Sequence, residues 1–262
     1  MTTEMALPTP PDGIRASRVG AALRVVLDKP GRHNAIDGPM LEFLGEVITA
    51  ALASPSVRSL TLTGVGDFCA GADIAWISAN VNDAAGWGAW LDLLTSTIRR
   101  LDECPLPVLV GVPGFAIGGG LELLLAGDVV VATPEARLGD GHVRHSFVPG
   151  GGSSFRLERR VSAASARYLL LTGRLLDVHD AQRRGLVDDV VAADQLEATL
   201  TGYEEGFSAV EWPLLPRLKQ LQARREQGWP GAGWAFERAL VEAALAEGSA
   251  RGAIDRFAGT GG

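Results

Sequence analysis

Between Glu103 and Asp128 the chain runs CPLPVLVGVPGFAIGGGLELLLAG, and Glu122 is the only charged residue in it. So apolar a stretch must be buried, and its glycines and prolines divide it into a strand, a turn and a helix. Val108–Val112 reads as a buried strand, GFAIGGG as a turn, LELLLAG as a buried helix, and residues 128–132 as a further strand. An ionised carboxylate in such a helix carries a large desolvation cost unless it is paired, hydrogen-bonded or facing a wet cavity. Composition alone leaves a structural and a chemical role for Glu122 equally open.

Gly118-Gly119-Gly120 directly precedes that helix. Three glycines between a strand and a helix permit unusual dihedrals and close approach to a ligand, and a helix start adds unpaired N–H groups. Taken alone, a glycine triplet is better explained by a tight turn without a ligand. Leu123 occupies the last position of what would be a G-x-G-x-x-G pattern, and no P-loop Lys-Ser/Thr follows, which excludes those nucleotide sites. FCAGADI, residues 68–74, is a second small-residue turn after a strand. Two such turns allow one amide from each to point into a shared pocket, aimed at an oxygen on which negative charge develops.

The order strand, turn, helix recurs along the chain. Residues 14–28 read as two short strands around Val19-Gly20; Leu41, Leu44, Ile48 and Leu52 form a helical stripe entered through Asp37-Gly38-Pro39 and closed by Pro55. A strand at 60–63 and a second amphipathic helix carrying Trp90, Leu94, Ile98 and Leu101 follow. The later half is helical at 163–171, 180–184, 214–227 and 234–257, with one further strand at 187–191. Repeated units of this kind imply an α/β protein with stacked parallel sheet layers. The expected division is a flexible tail at 1–13, a core at 14–200 and a helical region at 201–262.

The 24 Lys+Arg against 31 Asp+Glu give a net charge of −7. That provides no general field for a nucleic-acid backbone or an anionic membrane. Two isolated cysteines, Cys69 and Cys104, argue against a disulfide framework. No apolar run reaches spanning length uninterrupted, so a cytoplasmic protein is expected. Cys69 lacks an evident activating base and reads as a packed thiol, His179 as a solvated residue beside an Asp177 cap, and Trp229 and Trp234 as packing residues.

The segments DKPGRHNAI (28–36), FCAGADI (68–74), PVLVGVPGFAIGGGLELLLAGDVVVAT (107–133), VPGGGSSFRL (148–157) and LLTGRLLDVHDAQRRGLVDDVV (170–191) resemble, in order and spacing, the enoyl-CoA hydratase/isomerase (crotonase) superfamily. The resemblance covers roughly residues 14–191. It implies a crotonase-like spiral of ββα repeats with a C-terminal helical trimerisation region, and assembly as a homotrimer or homohexamer. It implies an acyl-CoA thioester as the partner, coenzyme A arriving as part of the substrate, and no permanently bound cofactor. By the same resemblance, the amides of Ala72 and Gly119 form an oxyanion hole, and Ala70, Gly71, Ala72 and Ile74 line the adenine and pantetheine path. Arg32 and His33 sit where the family contacts the phosphates and ribose region, Glu122 falls on the first of two catalytic carboxylates, and Gly150 on the glycine that helps hold a water.

One position departs from the pattern. Seven residues before Pro149, where hydratases carry the second catalytic Glu, this chain has His142, and a slip of three residues would bring His145 there instead. His142 suits acid–base work near neutral pH, with Asp140 placed to orient it or to serve as an ordinary turn residue. The two histidines lack a third ligand, so no metal is expected. The leading expectation is hydration of a 2-enoyl-CoA, or its reverse, with Glu122 and His142 as the catalytic pair. The competing expectations are double-bond isomerisation or β-diketone C–C hydrolysis within the same superfamily, and a non-catalytic acyl-CoA-binding or RNA-associated member.

Overall fold

The computed structural model describes residues 6–225 together with Trp234, Ala235, Arg238, Ala239, Glu242, Ala243 and Ala246. The first two strands, β1 (Ile14–Val19) and β2 (Ala22–Leu27), pair antiparallel around Gly20, whose φ of 57° suits a residue without a Cβ. Helix α1 (Gly38–Ala53) starts where the Asp37 carboxylate accepts the Met40 amide at 3.0 Å. It buries Leu41, Leu44 and Ile48 as expected, but Leu52 is 48% exposed. The buried arc centres on Leu44, Val47 and Ala51, and Leu52 stands at its edge on the last turn.

After β3 (Ser59–Gly64) come two helices, α2 (Ile74–Asn80) and α3 (Ala84–Asp102), capped by Asp73 and Asp83. The first of these was not foreseen. Seven residues are too few for a helical period to show, and its cap is concealed in the small-residue run FCAGAD. Next follow β4 (Val108–Val112), β5 (Phe115–Ile117), α4 (Gly119–Leu124), β6 (Val129–Ala132), β7 (Arg137–Gly139) and α5 (Ser153–Arg156). GFAIGGG is thus a strand as well as a turn. Then come α6 (Ala163–Thr172), β8 (Leu176–Asp177), α7 (Val178–Arg183), β9 (Asp189–Val190), α8 (Leu196–Ala209) and α9 (Leu214–Arg225).

Six strands form one sheet in the order β1-β2-β3-β4-β6-β9, parallel apart from the first pair; a smaller sheet has the order β5-β7-β8. In β4–β5–α4 and again in β6–β7–α5, the first strand joins the large sheet and the second the small one, so successive units stack as a spiral. Bridges Ile36↔Ala72 and Cys69↔Ala116 tie FCAGADI to the residues before α1 and to β5. Helix α8 escaped prediction because its buried face is mixed. Leu196 and Leu200 pack on Leu109 and Val131, while Glu204 accepts from Arg24 Nε and Thr61 Oγ1, both at 2.6 Å.

Only seven residues of the expected helix at 234–257 are described, and Trp229 lies outside the described residues. Trp234 is buried edge-on against Phe155, with ring centroids 5.3 Å apart, as a packing residue would be. No helix among the described residues is long and apolar enough to cross a membrane.

Candidate active site

The β5–α4 turn is built on glycine for steric reasons. Gly118 has φ 55° and ψ −121°, and a Cβ on Gly120 would stand 1.9 Å from the Cys69 carbonyl oxygen. Only at glycine can the two small-residue turns close on each other. A Cβ on Gly71 would lie 3.3 Å from the Gly119 nitrogen, and one on Gly119 3.5 Å from the Ala72 nitrogen, so the two amides adjoin. Gly119 is the first residue of α4, where a helix supplies its N–H no internal acceptor. The Ile36 bridge engages Gly71 O and Asp73 N–H, each at 2.8 Å. The alternation of a parallel bridge therefore turns the Ala72 N–H to the opposite side.

Both turns open on a cavity of about 270 Å³. Ala70, Gly71, Ala72, Ile74, Gly119, Glu122, His142 and Gly150 all line it, together with Asp140 and His145. Of the residues singled out from sequence, Arg32 and His33 do not. They sit on an exposed 3-10 turn beside it, where Arg32 Nη1 meets Asp73 Oδ1 at 3.1 Å and His33 Nδ1 meets Asp67 Oδ2 at 2.6 Å. The His33 carbonyl accepts the Ala70 amide at 2.9 Å, which joins that turn to the cavity's edge.

Glu122 is fully buried, and helix α4 directs it at the glycine run 150–152. Its Oε1 accepts the amides of Gly151 at 2.7 Å and Ser153 at 3.2 Å, while its buried Oε2 has no hydrogen-bond partner among the described residues. One oxygen is held and the other remains available. Burial pushes the Glu122 carboxyl above its ordinary range; His142 opposes this, and Asp140 adds to it. Gly150, singled out from sequence, lines the cavity and has its carbonyl held by Thr95 Oγ1 at 3.2 Å, but the amide that reaches Glu122 is that of Gly151.

Asp140 is buried as well, with Oδ2 2.5 Å from Ser153 Oγ and 3.1 Å from His142 Nδ1. Burial acts to raise its pKa, but the His142 contact and the Ser153 hydroxyl outweigh that and hold the carboxyl below the usual range. Ser153 therefore steadies both carboxylates, Glu122 through its amide and Asp140 through its hydroxyl. Of the two histidines lining the cavity, His142 has the Asp140 contact. Burial and the neighbouring His142 and Arg144 charges push the His145 pKa down.

Arg156, behind Glu122, was not foreseen. Its guanidinium is buried, donating from Nη1 to the carbonyls of Glu122 and Gly151, both at 2.9 Å, and from Nε and Nη2 to Asp102 Oδ1 at 3.0 and 2.8 Å. In sequence it is one of three arginines between 156 and 160, and nothing local separates it from the exposed Arg159 or the half-buried Arg160. Cys69 is fully buried, and burial pushes its thiol up to about 12, so it packs as a thiol. His179 is exposed, behind the Asp177 cap.

The enoyl-CoA hydratase/isomerase family model matches residues 18–207. A relative from Rhizobium meliloti (strain 1021), described as a probable enoyl-CoA hydratase, is 31% identical over 228 residues, covering 85% of each chain. Among solved structures, an enoyl-CoA hydratase from Mycobacterium avium subsp. paratuberculosis K-10 superposes with a TM-score of 0.84, covering 95% of this chain and all of that one. At 21% identity that likeness speaks for the fold alone. An enoyl-CoA hydratase/isomerase from Pseudoalteromonas atlantica T6c gives a TM-score of 0.83 at 26% identity, covering 94% of this chain and 96% of that one. With a spiral of stacked ββα units, an extensive match to the family model and a relative of this identity, the chain belongs to the enoyl-CoA hydratase/isomerase family and is an enzyme of that family.

Proposed function

We propose that the enzyme adds water across the double bond of a 2-enoyl-CoA, or removes it in reverse. The thioester carbonyl sits against the Ala72 and Gly119 amides, which meet the enolate charge as it forms, without reorganisation. Glu122 Oε2 takes a proton from water as the oxygen bonds to C3. The electron pair of the double bond moves onto C2 and the carbonyl, and His142 supplies the proton to C2. Coenzyme A comes and goes with the acyl group, and no permanently bound cofactor takes part. The observation that carries this reading is a fully buried carboxylate with one oxygen locked by two amides and the other unpartnered among the described residues, lining the cavity that holds the two adjoining turns.

Purified protein mixed with crotonyl-CoA and with longer, branched and aryl enoyl-CoAs is expected to bleach the conjugated thioester absorbance and yield the 3-hydroxy product. No turnover on any of them would remove the assignment.

The Asp140–His142 pair favours a second reading, in which His142 relays a proton within the substrate and the double bond migrates without water. Product analysis separates the two, since isomerisation leaves the substrate mass unchanged and hydration adds one water.

The pH profile carries a further expectation. Glu122 must be ionised to act as a base, so the acid limb of kcat/KM falls above the ordinary carboxylate value of about 4.3. Replacing Asp140 by Asn removes the negative charge that favours a protonated His142. The alkaline limb then moves to lower pH, because the imidazolium loses the opposite charge 3.1 Å from its Nδ1. An unmoved alkaline limb would mean that His142 is not the acid.

A further inference from the structure

We infer that the acyl end of the cavity selects a compact, ring-bearing hydrocarbon enoyl group, aryl or alicyclic, over short or long straight chains. This inference rests on the thioester reading above. Away from Glu122, Asp140 and the two histidines, the wall among the described residues is made by Ile77, Trp87, Trp90, Leu91, Leu94 and Phe147. None of these offers a charged or hydroxyl group. A hydroxyl, amine or carboxylate on the distal part of the acyl group would lose its water and gain little in return, so the fitting group is a hydrocarbon.

The wall is also braced. Trp90, Leu91 and Leu94 are buried parts of the main core. The Trp90 ring packs against Trp76 at 5.6 Å between centroids, and the Trp76 ring in turn sits so close to Gly38 that a Cβ there would come within 2.5 Å of it. Trp90 cannot swing aside without disturbing α1 and α2. At about 270 Å³ the cavity lies just below the range of about 300–1,000 Å³ common for small-molecule clefts.

Shape then decides among hydrocarbons. A four-carbon acyl group leaves most of the indole and leucine surface without contacts. A long straight chain touches the wall only with its first carbons, and its remainder must displace Leu91 or Leu94 or emerge past Trp87, which is half-buried. A ring conjugated to the enoyl group fills the width, and against Trp87, Trp90 and Phe147 an aromatic ring gains offset or edge-to-face contacts as well.

The test uses unreactive saturated thioesters, so that binding is read apart from chemistry. Calorimetric titration of the full chain is expected to give 3-phenylpropanoyl-CoA an affinity at least about tenfold above butyryl-CoA and above palmitoyl-CoA. Trp90→Ala, or the half-buried Trp87→Ala where the first does not fold, should reduce the phenylpropanoyl-to-butyryl ratio to below about threefold. Equal or tighter binding of either straight chain overturns the inference, as does a ratio unmoved in the folded variants or the absence of binding to all three. Preferential binding of phenylpropanoyl-CoA without turnover of any enoyl-CoA, from crotonyl-CoA through the longer, branched and aryl substrates, keeps the inference and sinks the hydratase reading.

Discussion

Glu122→Gln is expected to lower kcat by about 10²–10⁴ on every enoyl-CoA that the enzyme turns over, while leaving the fold intact. The amide keeps a carbonyl oxygen for Gly151 and Ser153 and fills the same space, so the 2.7 Å and 3.2 Å contacts persist. What disappears is the unpartnered carboxylate oxygen of a residue that lines the cavity. Stability should move the other way. The folded protein holds the Glu122 proton more tightly than an unfolded chain does, because burial disfavours the anion. Stability from this group is therefore fully present below the ordinary carboxylate pKa of about 4.3 and is lost as pH rises through the raised folded value. Gln removes that loss, so at neutral pH the variant should melt at the same temperature as the parent or higher. Kinetics and thermal melts on the same samples check both halves. Full activity in the variant would remove Glu122 from the chemistry, and a lower melting temperature would make it a structural acid.

Arg156→Met is expected to cost about 3–5 kcal/mol of stability, the range for breaking one side of a buried ion pair. The side chain is 1% exposed, and it ties three segments together through Asp102 at the end of α3, the Glu122 carbonyl and the Gly151 carbonyl. Methionine fills much of the volume but leaves two buried carbonyls unmet, each at a cost of about 1–3 kcal/mol. Asp102 keeps a partner in Arg159 at 2.9 Å, which places the penalty at the lower end of the range. The midpoint of urea unfolding should fall while the slope stays constant. Because Arg156 holds the segment whose Gly151 amide fixes Glu122, kcat should drop more than KM rises in protein that remains folded. Arg156→Lys should recover stability only in part, since one ammonium cannot serve Asp102 and both carbonyls with the geometry of a planar fork. A midpoint unchanged in Arg156→Met would show that this cluster does not hold the site together.

Much of this architecture was legible in local patterns. The strands Val108–Val112 and 128–132, the glycine turn and the buried helix around Glu122 follow from an apolar run punctuated by glycine, where burial leaves few alternatives. Residues Ala70, Gly71, Ala72, Ile74, Gly119, Glu122, His142 and Gly150 were marked in advance through the family resemblance rather than local pattern, and they line one cavity, whereas Arg32 and His33, marked in the same way, do not. Helices α2 and α8 were not legible, the first too short to show a period and the second burying Glu204 on the face that should have been apolar. The roles of Gly151, Ser153 and Arg156 had no local signature, because each depends on a partner about thirty residues away along the chain.

The sequence by itself determined that a lone acid is buried in an apolar helix behind a glycine turn, and the family resemblance put His142, or His145 by a slip of three, where hydratases carry a second carboxylate. Both are facts of residue type and order, which set hydrophobic pattern and backbone freedom. Only the tertiary structure decided which Glu122 oxygen is restrained, that Ser153 bridges Glu122 and Asp140, and that Arg156 supports the segment from behind. Those relations arise where the spiral stacks distant turns on one another. Hydrogen-bond geometry over such separations is set by packing, to which local pattern is blind.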